Sequence, residues 1–123
     1  MIYALRTFQL EAGIFEEFAR TSAEKIWPVF ESQGPRIIGL WRTQNGSSEE
    51  AIVLTVYESL DQYEELHTAT FWASVPGGQS LVQASEKRRV EMIKKVSVKI
   101  LTSYEGSRID KIVSTIIEKP SEK

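Results

Sequence analysis

The chain contains a single histidine, and the position of that histidine is its sharpest chemical signal. His67 lies four residues after Tyr63 and four before Phe71, so on a helix the three share one face. An imidazole there can move a proton, or it can sit neutral and hydrogen-bonded near the core. Arg6 is the second signal. It interrupts the apolar run Ile2-Tyr3-Ala4-Leu5-Arg6-Thr7-Phe8, where unpaired burial of a guanidinium would be too costly. Two readings stay open: an anchor for a ligand carboxylate, or a structural salt bridge with Glu58 or a carboxylate of a partner subunit. The aromatic residues Tyr3, Trp27, Trp41, Tyr57 and Trp72 bring large area to whatever they line, most often a core.

Other chemistry finds no support. The chain has no cysteine, which excludes disulfides, thiolate catalysis and Cys-type zinc sites. It holds no P-loop, dinucleotide-binding glycine motif, zinc-protease motif or nucleophile elbow, and no cofactor or metal is expected. The pairs Glu16-Glu17, Glu49-Glu50 and Glu64-Glu65 are sequence neighbours at surface-like positions, without the buried, separated geometry of an acid–base pair. A net charge of −2 and a pI near 5.5 argue against nucleic acid, since phosphate contacts need a basic field. The basic cluster Lys87-Arg88-Arg89 with Lys94 and Lys95 is broken by Glu86 and Glu91 and reads as a solvated helix face, with an anionic-surface contact as the minor reading. No window approaches the ~18 apolar residues of a membrane span. Arg6 interrupts the N-terminal apolar run and no basic segment precedes it, so a signal peptide is not expected and the chain reads as cytoplasmic.

The elements that must position these residues can be read from periodicity. Ile2 to Leu10 is a strand, broken at Gly13. Ile14, Phe15, Phe18, Ser22, Ile26 and Phe30 then recur at helical spacing, with Glu16, Glu17, Arg20 and Glu24 opposite. Pro28 should kink that helix or start a new turn there, and Gly34-Pro35 should end it. Ile37–Trp41 and Ile52–Tyr57 flank Asn45-Gly46 as a hairpin. Ser59 and Gln62 form a capping box for a helix from Leu60 to about Ala73. A shorter helix over Leu81 to Ile93 and a strand through Val96, Val98 and Ile100 follow. Residues 109–117 fit one helical face, although their β-branched content favours a strand; helix is the preferred reading. The order is a ferredoxin-like β-α-β-β-α-(α)-β arrangement of class α+β with an antiparallel sheet. Residues 1–105 form the domain, and 106–123 a C-terminal extension ending in a polar tail. Ile37–Trp41 and Ile52–Val56 do not alternate, as a sheet open to water on one face would. Two helices cover only one face, so the other is expected to meet a second subunit.

Ile2-Tyr3-Ala4-Leu5-Arg6-Thr7-Phe8-Gln9-Leu10-Glu11-Ala12-Gly13 resembles the opening of NIPSNAP-family domains, whose pattern is close to I-Y-E-L-R-x-Y-x-L-x-x-G. The similarity continues through Pro28, Gly39-Leu40-Trp41, Val56-Tyr57-Glu58-Ser59-Leu60-Asp61 and Phe71-Trp72. Ala4 departs from it, standing where the family often has an acidic residue. The resemblance implies a dimeric α+β barrel, in which two ferredoxin-like sheets pack face to face. It also implies a small hydrophobic ligand between helices and sheet, lined by Tyr3, Arg6, Trp27, Trp41, Tyr57, His67, Phe71 and Trp72. Its superfamily includes cofactor-independent oxygenases and isomerases; in such an enzyme His67 or a tyrosine would handle protons. It also includes haem-binding oxygenases, in which a histidine of this helix region binds iron, and members with no assigned chemistry. A non-catalytic homodimeric scaffold is the remaining reading, because fold does not settle function.

Overall fold

The computed structural model describes residues 1–46, 48–68, 75 and 91–118. Among them, β1 (Ile2–Leu10), β2 (Arg36–Arg42), β3 (Glu49–Tyr57) and β4 (Ile93–Leu101) form one antiparallel sheet in the order β2-β3-β1-β4. This is the ferredoxin-like order, with the first strand at the centre. Helices α1 (Phe15–Thr21), α2 (Trp27–Glu31) and α3 (Leu60–Glu65) are joined by α4 (Ile109–Glu118) at the C-terminal end. Residues 109–117 are therefore helical, as the spacing of Ile109, Ile112, Val113 and Ile116 predicts; the apolar stripe outweighs β propensity.

Strand alternation divides β1 between two faces. Ala4, Phe8 and Leu10 look toward the helices. Phe8 and Leu10 pack with Phe18, Ala51, Val53 and Met92, while Ala4 packs with Tyr57, Leu66 and Val75. Each fully buried Phe or Leu of these clusters contributes about 1.5–3 kcal/mol. Tyr3 looks the other way and packs with Val56 and with Val113 of α4. The C-terminal helix thus lies over part of the sheet face that the sequence leaves to a second subunit. The non-alternating run Ile37–Trp41 also has a local cause. The β2–β3 register slips between Ile37 and Gly39, so Ile37 and Leu40 join the helix-side core while Ile38 packs with Tyr3 and Val56. A bulge moves consecutive apolar residues onto opposite faces.

Pro28 starts a new helical turn, one of the two outcomes expected of it. Ser22–Ile26 is a π-helical segment, closed by the Trp27 N–H on the Ser22 carbonyl, and Pro28 lies in the first turn of α2. With no N–H of its own, proline cannot continue the α ladder, and the wider turn ahead of it absorbs the mismatch. The N-terminus of α1 is capped across the sheet rather than locally. Ile14 offers no capping side chain, and the Glu49 carboxylate accepts from Gly13 N–H at 2.7 Å, Phe15 N–H at 3.1 Å and Arg42 Nη2 at 3.0 Å. Three donors hold its pKa below the ordinary carboxylate value, the Gly13 N–H foremost.

Candidate functional site

Arg6 lies between the two helix-side core clusters, on the same face as Ala4 and Phe8. Its ladder partners are Val53 of β3 and Val98 of β4, so no acidic residue stands directly beside it. The half-buried guanidinium is held by neutral groups. Nη2 donates to the Tyr57 hydroxyl at 2.9 Å and meets His67 Nε2 at 2.7 Å, and Nη1 reaches the Thr55 hydroxyl at 3.4 Å. The salt bridge expected with Glu58 is not among these contacts. Alternation explains this: Tyr57 shares the Arg6 face, and the next residue along must point to the other.

His67 reaches Arg6 because α3 stops early. The helix closes at Glu65 and tightens, with His67 N–H on the Glu64 carbonyl at 3.2 Å. An α-helical continuation would have used the Tyr63 carbonyl instead. His67 Nδ1 lies 2.5 Å from that carbonyl, so the side chain satisfies a helix-end acceptor that the backbone has passed over. A carbonyl only accepts, so Nδ1 carries the proton, and Nε2 presents its lone pair to the guanidinium. The residue is exposed overall, but both ring nitrogens are engaged by protein. Desolvation of the ring pulls its pKa below the ordinary histidine value, and the Arg6 charge acts the same way against the opposing Tyr63 bond. His67 is thus a neutral imidazole at neutral pH.

An aromatic column supports this pair. Phe30 meets Tyr57 edge-on at 6.0 Å between centroids, and Tyr57 meets Tyr63 edge-on at 5.2 Å. The Tyr63 and His67 rings lie 4.1 Å apart at 30°, and the Arg6 guanidinium stands 6.0 Å from the Tyr63 ring centroid. Burial raises the Tyr57 pKa, partly offset by Arg6. The capping box that starts α3 forms in modified style. Ser59 accepts from Gln62 N–H at 3.1 Å, and the Gln62 side chain accepts from Glu58 N–H at 2.8 Å.

Beside Arg6, β4 turns Val96, Val98 and Ile100 toward the same face, opposite Phe8, Arg6 and Ala4. These side chains are 50%, 42% and 41% exposed. A polar cluster and an apolar strip therefore adjoin on the helix side of the sheet.

The residues picked out from the sequence separate into three groups. Arg6, Tyr57 and His67 come together. Tyr3 and Trp41 do not join them. Tyr3 is buried on the other face, where its hydroxyl donates to Asp110 of α4, which also accepts from Ser103 at 2.7 Å. Burial first, then the Asp110 carboxylate, push the Tyr3 pKa to about 12, and the Asp110 pKa is lowered in return. Trp41 pairs with Ile52 on that same far face and is 51% exposed. Its indole lies where a Cβ on Gly39 would come within 2.2 Å, so only glycine leaves room for it. Trp27 packs into the Phe8–Phe18 core. Phe71 and Trp72 lie outside the described residues. Thr55 and the β4 strip were missed by sequence reasoning; the alternation of Val96, Val98 and Ile100 was the available signal. A cleft of about 230 Å³ is lined by Met1, Gly34, Val56, Tyr57, Glu58, Ser114 and Ile117, so Tyr57 borders both this cleft and the Arg6 cluster.

The NIPSNAP family model matches residues 3–108. Among solved structures, the chain is similar to a NIPSNAP domain protein of Burkholderia xenovorans, with 20% identity, 87% of this chain and 98% of that one covered, and a TM-score of 0.67. A NIPSNAP family protein of Agrobacterium tumefaciens gives 22% identity, coverages of 86% and 95%, and a TM-score of 0.69. An antibiotic biosynthesis monooxygenase-like protein of Bordetella bronchiseptica gives 14% identity, coverages of 84% and 96%, and a TM-score of 0.58. At these identities the likeness is one of fold. No curated protein matches.

Proposed function

Because this chain belongs to the NIPSNAP family, whose fold it shares with monooxygenase-like proteins, we propose that it binds a small, largely apolar molecule. The site is the helix side of the sheet around Arg6, Tyr57 and His67. One observation carries this reading: a guanidinium and an imidazole, each fixed by hydrogen bonds, share the sheet face of the exposed strip Val96, Val98 and Ile100, with Val98 the ladder partner of Arg6. Ligand sites join apolar walls to a few placed polar groups in this way. As an oxygenase or isomerase the protein would orient its substrate and exclude water, with His67, held through both ring nitrogens, positioning the Arg6 guanidinium rather than moving a proton. Haem binding through His67 is disfavoured, because an iron would have to displace the Arg6 guanidinium from Nε2. Fragments screened by amide NMR test the site. Shifts should cluster at Arg6, His67 and residues 96–100; clustering on the far face, or nowhere, would refute it.

The scaffold reading is favoured by a different observation. Trp41, Ile112 and Ile116 are each more than half exposed, all on β2 and α4 rather than at the Arg6 site. We infer a cytoplasmic homodimer that covers the far sheet face together with α4. No helix among the described residues is long and apolar enough to cross a membrane.

A further inference from the structure

Resting on the reading that this face binds a small molecule, we infer that the ligand is a monocarboxylate, with its carboxylate on Arg6 and its apolar body along Val96, Val98 and Ile100. The argument begins with charge. Arg6 is a permanent cation, half-buried at mid-sheet, and its contacts among the described residues are two hydroxyls and a neutral imidazole. Its ladder neighbours Val53 and Val98 carry no charge. The charged residues of β4 cannot help, since Lys94, Lys95 and Lys99 are all cations; Lys94 lies 3.9 Å from Glu11, and Lys95 and Lys99 pair with Gln9 and Leu5 on the opposite face. A buried charge without a counter-charge is costly, and an incoming anion removes that cost.

Donor geometry points the same way. A guanidinium has five N–H groups. Tyr57 and His67 take both on Nη2, and Thr55 takes one on Nη1 at a long 3.4 Å. The Nε–H and the second Nη1–H remain, on different edges of the guanidinium, so each offers a carboxylate oxygen a single donor beside the positive charge. Tyr57 and His67 then work as positioning residues that hold the plane of the guanidinium. Val98 stands across the ladder from Arg6, so a ligand anchored on Arg6 can lay its apolar part on the exposed strip of the same face. Charge complementarity and the strip together select a small acid with an apolar body over a neutral hydrocarbon or a polyanion.

The test compares benzoate with benzyl alcohol, which share a ring and differ in charge. The single histidine makes the His67 imidazole resonances an unambiguous reporter. In the wild-type protein benzoate should shift them saturably and bind about tenfold more tightly than benzyl alcohol. Arg6→Met should abolish that preference, and Arg6→Lys, which keeps the charge without the fork, should retain part of it. Equal binding of the two probes would overturn the carboxylate assignment while leaving the site intact. No saturable shift from either would overturn the site as well. The wild-type comparison stands alone, so a poorly folded Arg6→Met protein would not rescue the proposal.

Discussion

Arg6 Nη2 and His67 Nε2 lie 2.7 Å apart across 61 positions of sequence. A cation on the central strand and an imidazole just past the third helix are joined by this bond, which holds only while the imidazole is neutral. Protonation would place two cations in contact.

The first prediction follows from that constraint. The His67 pKa is depressed, so below about pH 6.5 the unfolded chain binds a proton that the folded protein resists. Stability attributable to this residue is present above that pH and is lost as pH falls through the lower folded value. Titration of the imidazole proton shifts should give a pKa below the ordinary histidine value, and Arg6→Met should raise it.

Tyr57→Phe removes the hydroxyl that accepts from Arg6 and leaves the ring in place. A hydrogen bond to a charged group contributes about 1.5–3 kcal/mol, and urea unfolding should show a loss up to that range with an unchanged slope. The same variant should alter the His67 resonances, because the guanidinium loses one of its supports.

The Glu49 carboxylate caps α1 from another strand. Its lowered pKa means that the stability it supplies is present above about pH 4.5 and is lost as pH falls through the folded value below it. Glu49→Gln should unfold at lower urea concentration at pH 7, and the difference from wild type should shrink toward pH 3.

The proposed homodimer should sediment at twice the 14.0 kDa of one chain. Obligate interfaces bury more than about 2,000 Å², so the paired substitution Ile112→Lys and Ile116→Lys should yield a folded monomer. A wild-type protein that is monomeric at micromolar concentration would contradict the assembly.

Much of the fold is legible in the sequence because its signals are local. Gly34-Pro35, Ser59 with Gln62, and the alternation of Val96, Val98 and Ile100 each act within a few residues. The bulge at Ile37–Gly39 is not legible that way, since register depends on the partner strand. The C-terminal helix was expected from the spacing of Ile109, Val113 and Ile116. Its docking on Tyr3 and Val56 was not, because the Tyr3–Asp110 bond joins opposite ends of the chain. The site was half legible. Arg6 and His67 stand out as an intrusion and a singleton, yet their pairing depends on where α3 ends, and helix ends are set within a residue or two. Tyr3 and Trp41 were drawn to the site as aromatics, although strand alternation places them on the far face.

The proton distribution on the His67 ring tests the central claim most directly. Long-range proton–nitrogen correlation at pH 7 should show Nδ1 protonated and Nε2 bare, the tautomer demanded by the Tyr63 carbonyl on one side and Arg6 on the other. Signals of an Nε2-protonated ring, or of a ring averaging freely between tautomers, would contradict the Arg6–His67 bond and the site built around it.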